Sequence, residues 1–553
     1  MKTYKQIWPV AIIFAACSGS NAVPSARFAN APPVEMVNDQ RNTKTPPRNN
    51  DRPDALFYFD GSVYRRTLRP MELPLPERAR GVNALDEVPD STWFTNRIGV
   101  RDLTLDEIRR GPNVVGNPEK FTPWTIHSKK STGESLGFVI TDSRGERFLI
   151  KFDRVGYPEL ETATQLIAGR ILWAVGYNVS DDYIAQIRTE DLVVGADAET
   201  DLRSGVSRRF TPSDLATALQ GVEHDITGKI RVMASHFVDG KPLGGHRGEG
   251  TRPDDPNDLI PHELRRDLRG AVPVFAWLDH ADVKERNTLD VWVEDPRVPS
   301  RHFVVHYFLD YGKAFGGLSL LANDPRRGVE YALDPAAMYG SLITLGLRPR
   351  PYERRHYPTL RGIGPYSAAD YSPAEWRPST PSYLPFVLAD RIDWFWGARI
   401  VMRFTPDQLR AIVELGELSD PAAENYLINT LIARQRETAA YAFSRVSPLD
   451  NFVVNGSAVC FDDLALAYQL STSQTRYLVR TFDRRGRQLA ASSVFDAASS
   501  HTCTAPIAIS SDADGYTIVE LETRRDKGGL TAYVHVARDP QTRALRVIGI
   551  WRD

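Results

Sequence analysis

The sequence predicts an α+β fold: a two-lobed mixed domain followed by a small, all-β, sandwich-like C-terminal domain. Three observations lead there. Between residues 125 and 152, short β-rich runs alternate with turn signals, and a helical period follows at 158–175. From about residue 389 to 443 the chain reads as successive capped helices. At Asn451 the period changes to two-residue alternation, which persists to Trp551. A length of 553 residues suits roughly three to four domains. A chain that is 42% hydrophobic and 25% charged can form a sizeable core. The net charge of −2 gives no whole-chain case for nucleic acid, so any basic site is local.

Residues 1–17 read as an export signal. Lys2 and Lys5 precede an apolar run at 7–16, shorter than the about 20 residues a spanning helix needs. Phe14-Ala15-Ala16-Cys17 resembles the lipobox of bacterial lipoproteins. That resemblance implies a lipid on Cys17 and, with Ser18 next, a place in the cell envelope at the outer membrane of a Gram-negative bacterium. Ordinary cleavage near Ala16, or a retained signal, is the alternative. Residues 18–54 are rich in Asn, Pro, Arg and Ser without an apolar period and are expected to form a disordered tether.

Residues 55–123 form an N-terminal extension. Ala55-Leu56-Phe57-Tyr58-Phe59 suggests a short strand, and Thr104 with Glu107 three residues on suggests a helix start. Trp93 and Phe94 are read as core rather than ligand contacts.

Residues 124–240 form the small lobe. In the run Arg147–Phe152, alternation puts Phe148, Ile150 and Phe152 on one face and Lys151 on the other, where it can enter a cleft. Ahead of it lies a polar turn, Lys129 to Gly137, whose Gly133 and Gly137 suit a backbone cradle for phosphate. In the helix after Pro158, Glu161 is preferred over Glu159 as a partner for Lys151, because Glu159 is explained as a helix-dipole partner. Strands are expected at 183–187 and 230–238, and a helix capped by Thr211 between them. Asp239-Gly240 marks the crossing to the next lobe.

Residues 241–448 form the large lobe. A helix at 261–278, with a break expected at Pro273, delivers His280-Ala281-Asp282-Val283-Lys284-Glu285-Arg286-Asn287. A hairpin around Asp295-Pro296-Arg297 then leads to Leu309-Asp310-Tyr311-Gly312. Phosphoryl transfer needs a carboxylate at the attacking hydroxyl, a cation on the phosphate and oxygen ligands for magnesium. Asp282, Lys284, Asn287 and Asp310 have that chemistry in that order. A polar turn after a helix, with Asp310 ending a strand, is the alternative.

This pattern, His-x-Asp-x-Lys-x-x-Asn followed by Asp-Tyr-Gly, resembles the catalytic loop and metal-binding strand of the protein-kinase-like fold. The segment after Leu309 is similar to that of atypical kinases of the HipA, CotH spore-coat and secretory-pathway type. The resemblance covers residues 124–443 and implies a role for each matching residue. Asp282 would orient or deprotonate the acceptor hydroxyl, and Lys284 would neutralise the transferring phosphoryl group. Asn287 and Asp310 would hold Mg or Mn. Lys151 would bind the α- and β-phosphates of ATP, oriented by Glu161. His280 corresponds to a structural histidine, and the offset of the rival Asp279 to Asn287 does not fit.

Beyond Gly316 no Ala-Pro-Glu segment follows. The densest basic patch, Arg348 to His356, suits an acidic substrate or a solvated loop. Residues 449–553 form the C-terminal β-domain, in which Cys460 and Cys503 are expected to pair or to remain two buried thiols. A structural zinc has no ligand quartet. The resemblance implies an exported, ATP-dependent phosphotransferase acting on a protein or small-molecule hydroxyl. A catalytically inactive envelope protein of the same fold that binds a ligand or partner, and transfer of AMP in place of phosphate, stay open.

Overall fold

A computed structural model describes residues 23–50, 54–68, 77–130, 135–201, 207–317, 326–347, 349–354, 357–525 and 528–553. The N-terminal extension contains helix α1 (Asp54–Phe59), continued by a π-helical stretch (Asp60–Leu68), and α2 (Leu105–Arg110). Thr104 and Glu107 cap α2 reciprocally, as their spacing predicts. Residues 55–59 are helical, not the expected strand. A short apolar run that joins no sheet satisfies its backbone by coiling on itself.

The small lobe carries β1 (Trp124–Lys129), β2 (Gly137–Thr141), β3 (Arg147–Phe152), α3 (Leu160–Val175), β4 (Asp182–Ile187), β5 (Leu192–Asp201), β6 (Ser207–Arg209), α4 (Pro212–Leu219) and β7 (Ile230–His236). They form one sheet in the order β4-β7-β3-β2-β1-β5-β6, antiparallel except where β5 runs parallel to β1. Phe148 and Ile150 are fully buried with Trp124, Ile126 and Phe138 on one face. The other face of β3 therefore turns Lys151 towards α3 and the cleft.

The chain crosses through β8 (Lys241–Pro242), which pairs with β9 (Thr288–Glu294), itself paired with β10 (His302–Phe308). The large lobe is otherwise helical: α5 (Arg266–Arg269), α6 (Val272–Trp277), α7 (Pro335–Ile343), α8 (Leu384–Val387), α9 (Arg391–Val401), α10 (Pro406–Glu414) and α11 (Pro421–Phe443). The helical break falls at Gly270 and Ala271, ahead of Pro273. Pro273 sits in the first turn of α6, where a missing N–H costs nothing. Gly270 is required there because a Cβ would lie 2.2 Å from the Trp396 ring.

The C-terminal part comprises β11 (Leu449–Asn455), β12 (Ala458–Asp463), α12 (Leu464–Ala467), β13 (Arg476–Asp483), β14 (Ser493–Asp496), β15 (His501–Cys503), β16 (Thr517–Arg525), β17 (Gly528–Arg538) and β18 (Leu545–Arg552). Two antiparallel sheets, β11-β12-β15 and β14-β13-β16-β17-β18, share a core in which Phe461 and Val459 of one meet Tyr477, Leu521 and Val534 of the other. Cys460 and Cys503 are directly opposed across β12 and β15 and are joined as a disulfide.

Composition predicts no order for residues 18–54, yet residues 23–50 lie along both regions. Phe28 stacks edge-on against His535 of β17 at 4.8 Å. The Val37 amide bonds Asp90 O, the Thr43 amide bonds His302 O and the Asn50 amide bonds Leu243 O. The segment lacks an apolar period because its order comes from backbone bonds to other elements, which leave no mark in hydropathy. Cys17 lies outside the described residues, and among those described no helix is long and apolar enough to cross a membrane.

Candidate functional site

Three elements converge at the junction of the lobes: β3, the loop between α6 and β9, and the residues just after β10. Lys151 Nζ donates to Asp310 Oδ1 at 2.6 Å. Asp310 adopts a left-handed backbone, φ 61°, so its side chain turns back from the end of β10 towards the small lobe. The next residue, Tyr311, is fully buried. At Gly312 a Cβ would stand 3.0 Å from Glu161 Cγ, so a side chain there would crowd the Glu161 carboxylate stem.

Lys151 is buried, yet its ammonium is held above its ordinary pKa. Burial works against the charge, but Asp310 and then Glu161 outweigh it. Asp310 is held well below the usual carboxylate range: burial opposes the charge, and Lys151 and Lys130 overcome it. Glu161 takes no ion pair within 4 Å of Lys151; it stands behind the pair, accepting from Ser135, and burial raises its pKa. The expected direct Lys151–Glu161 pair is thus replaced by Lys151–Asp310, with Glu161 supporting at longer range.

Asp282 and Asn287 are brought together as their spacing suggests. Asn287 Nδ2 donates to the Asp282 carbonyl at 2.8 Å and to its Oδ2 at 3.2 Å. With its nitrogen so used, the amide offers its oxygen to a cation. Lys284 Nζ lies 3.5 Å and Lys313 Nζ 3.1 Å from Asp282 Oδ2. Burial opposes the charge on Asp282, but the two lysines hold its pKa below the ordinary value. His280 is buried and stacked on Phe275; burial depresses it to about 4, so it is neutral and structural. Asp279, the rival carboxylate, accepts from Trp376 Nε1 at 3.0 Å, inside the large lobe.

A cavity of about 560 Å³ opens beside this group. Leu149, Phe237, Val238, Leu289 and Leu309 supply an apolar slot against the crossing, and Lys130, Lys151, Lys284, Asn287 and Asp310 supply the polar end. At that end lysines outnumber carboxylates, a field suited to a polyanion. Asp310, whose side chain is 35% exposed, and the Asn287 amide are hard oxygen donors, so the residues fit Mg or Mn. A larger cavity, about 920 Å³ between Trp173, Trp292 and His302, is lined by none of Lys130, Lys151, Lys284, Asn287 and Asp310.

Several contributors were not legible in the sequence. Asp153, just past β3, caps α3: its Oδ1 accepts the Glu161 and Thr162 amides at 2.9 and 3.1 Å. It therefore fixes Glu161 relative to Lys151. Glu159 stands at the N-cap of α3 but makes no side-chain capping bond; it accepts from Arg361 at 2.7 Å and from the Ser419 amide at 2.9 Å. Lys130 and Lys313 join the cluster, and the only sequence signal is their adjacency to the polar turn and to Asp310-Tyr311-Gly312. Gly137 opens β2 opposite Lys151; a Cβ there would lie 2.7 Å from Ile150 O, so close strand packing accounts for this glycine. Gly133 lies outside the described residues, as do Arg348, Arg355 and His356 of the basic patch. Arg350 of that patch is tied to Glu330 at 2.9 Å.

A second group with metal-ligand chemistry, His246, Asp290 and His306, lies buried beneath the hairpin with donor atoms within 4.8 Å of one another. Arg252 already neutralises Asp290 at 2.8 Å, and Trp93 stacks on His306 at 3.5 Å, so the group reads as structural.

No family model and no curated protein matches the chain. Among solved structures it is similar to the Golgi casein kinase with Mn/ADP bound, at 12% identity over 61% of this chain and 74% of that one, with a TM-score of 0.29. A second structure of the Golgi casein kinase gives 10% identity over 64% and 84%, with a TM-score of 0.28. The Rio2 kinase-ADP/Mg²⁺-phosphoaspartate complex from Chaetomium thermophilum gives 15% over 52% and 70%, with a TM-score of 0.19. The functional reading rests on the cleft itself.

Proposed function

We propose that this chain is an exported atypical kinase that transfers phosphate from Mg- or Mn-ATP to a protein or small-molecule hydroxyl. The observation that carries the reading is the convergence of Lys151, Asp310 and Asn287 from three separate elements onto one cavity, with Asp282 held beside it by Asn287. In this reading the apolar slot takes the base, and Lys151 and Lys130 take the α- and β-phosphates. Asp310 and Asn287 hold the metal, which when bound supplies charge neutralisation to the phosphates. Lys284 neutralises the group in transfer, and Asp282, kept ionised by its lysines, orients the acceptor hydroxyl. Export follows the signal-like N-terminus, and a lipid on Cys17 would hold the protein in the envelope.

One observation favours a second reading, a catalytically inactive protein of this fold that binds a ligand or partner. Lys151 occupies Asp310 Oδ1, an oxygen a metal would use. The kinase reading requires that pair to open when nucleotide arrives.

Calorimetry of ATP with Mg²⁺ and with Mn²⁺, beside an Asp310→Ala variant, tests the first reading. Metal-dependent binding that disappears in the variant is expected. Folded protein that binds ATP with neither metal would favour the ligand-binding reading.

A further inference from the structure

Helix α1 comes from far upstream, yet it ends at the mouth of the cleft. Tyr58 Oη lies 3.5 Å from Lys284 Nζ, the same ammonium that lies 3.5 Å from the Asp282 carboxylate. Two anchors hold the hydroxyl there. Phe57 is buried and meets the Tyr58 ring edge-on at 5.5 Å. Three residues on, Gly61 packs so closely on Ser382 that a Cβ would lie 2.0 Å from its Oγ, and Ser62 is buried beside it. The segment is thus seated on the large lobe and presents one half-buried hydroxyl to the lysine placed for the transferring phosphoryl group.

We propose that Tyr58 is a phosphoryl acceptor within its own chain. The proposal rests on the kinase reading and adds the acceptor class: a phenolic hydroxyl carried by the short helix α1. The phenolic oxygen attacks the γ-phosphorus of a bound nucleoside triphosphate. The new O–P bond forms as the bond from that phosphorus to the β,γ-bridging oxygen breaks, and the electron pair leaves with the nucleoside diphosphate. The phenolic proton passes to the Asp282 carboxylate and then to solvent. Lys284 and Lys313, both within 3.5 Å of Asp282, then face a dianionic product. A chain modified in this way would keep its cleft mouth filled by an ion-paired helix until α1 moved aside.

The experiment uses the full chain with Mg-ATP or Mn-ATP, read by intact mass and peptide mapping, beside Tyr58→Phe and Tyr64→Phe. Tyr64, an exposed residue of the same segment, is the control. The expected result is one phosphate per chain on Tyr58, at a rate independent of protein concentration. It should be lost in Tyr58→Phe and kept in Tyr64→Phe. Binding of a non-hydrolysable triphosphate analogue, measured by calorimetry, should agree within about twofold among the three proteins, since Tyr58 approaches the acceptor side. Analogue binding with no phosphate on Tyr58, phosphate elsewhere only, or a rate that rises with protein concentration would overturn the proposal and leave the nucleotide cleft standing. No metal-dependent nucleotide binding at all would overturn both.

Discussion

Two networks of buried charge in this molecule are built to opposite specifications. One is the seam where the N-terminal extension, the large lobe and the β-domain meet. Arg399 pairs with Asp450 at 2.8 Å and with Glu87; Arg552 pairs with Asp450 at 2.8 Å and with Asp86 at 3.4 Å; Arg266 pairs with Asp86 at 3.0 Å and Asp393 at 2.8 Å. Each carboxylate there meets a guanidinium, and Arg266 and Arg552 are almost fully buried. The other network is the cleft, where lysines outnumber carboxylates and the charges border a cavity. Planar guanidinium forks close a network geometrically, whereas flexible ammonium groups can exchange partners. Closure makes the seam a structural joint. The open, unbalanced charge of the cleft is what a ligand can complete.

The contrast can be broken by substitution. On the kinase reading the largest effect is expected from Lys284→Met, which should slow phosphoryl transfer on the order of 10³–10⁵-fold, the range for a cation that stabilises a transferring phosphoryl group. Its melting temperature should stay close to that of the parent, and a large drop would make the cleft a second structural seam. Arg399→Met should do the reverse. It leaves Glu87 without its guanidinium and Asp450 with Arg552 alone, and should cost roughly 3–5 kcal/mol in denaturant unfolding, while nucleotide binding by the folded protein persists.

The β-domain sharpens the comparison through its covalent link. Replacing Cys460 and Cys503 with Ser opens a closure of 43 residues and should cost roughly 3–4 kcal/mol. That loss should appear in the unfolding of the β-domain, without change in nucleotide affinity.

The smallest effect is expected from pH. Burial holds His246 and His280 neutral, with pKa values of about 4 against 6.5 unfolded. The unfolded chain therefore takes up their protons first. Their contribution is complete above pH 6.5 and is lost as pH falls towards 4. Asp310 has the opposite basis: a depressed carboxylate, whose contribution is present above the ordinary carboxylate pKa and fades only in stronger acid. A melting temperature that already falls between pH 6.5 and 4.5 in the parent, with the decline reduced in His246→Gln, would separate the two.

Much of this was legible in the sequence because it is written in local patterns. Strand alternation placed Lys151 opposite its apolar neighbours, and caps such as Thr104 and Thr211 marked helix starts. The spacing of Asp282 and Asn287 within one loop brought them into contact. The mixed α+β class and the antiparallel C-terminal sheets also follow from period alone. What the sequence could not fix are relations between segments far apart in the chain. Whether Lys151 meets Glu161 or Asp310 depends on how the two lobes approach, and Glu161 is positioned by Asp153, a residue with no motif of its own. The ordered path of residues 23–50 and the arrival of Tyr58 at Lys284 likewise arise from docking against distant surfaces. Local sequence sets backbone period and capping, which act over a few residues. Pairing of buried charges is settled only when packing fixes which of several possible partners lies within hydrogen-bond reach.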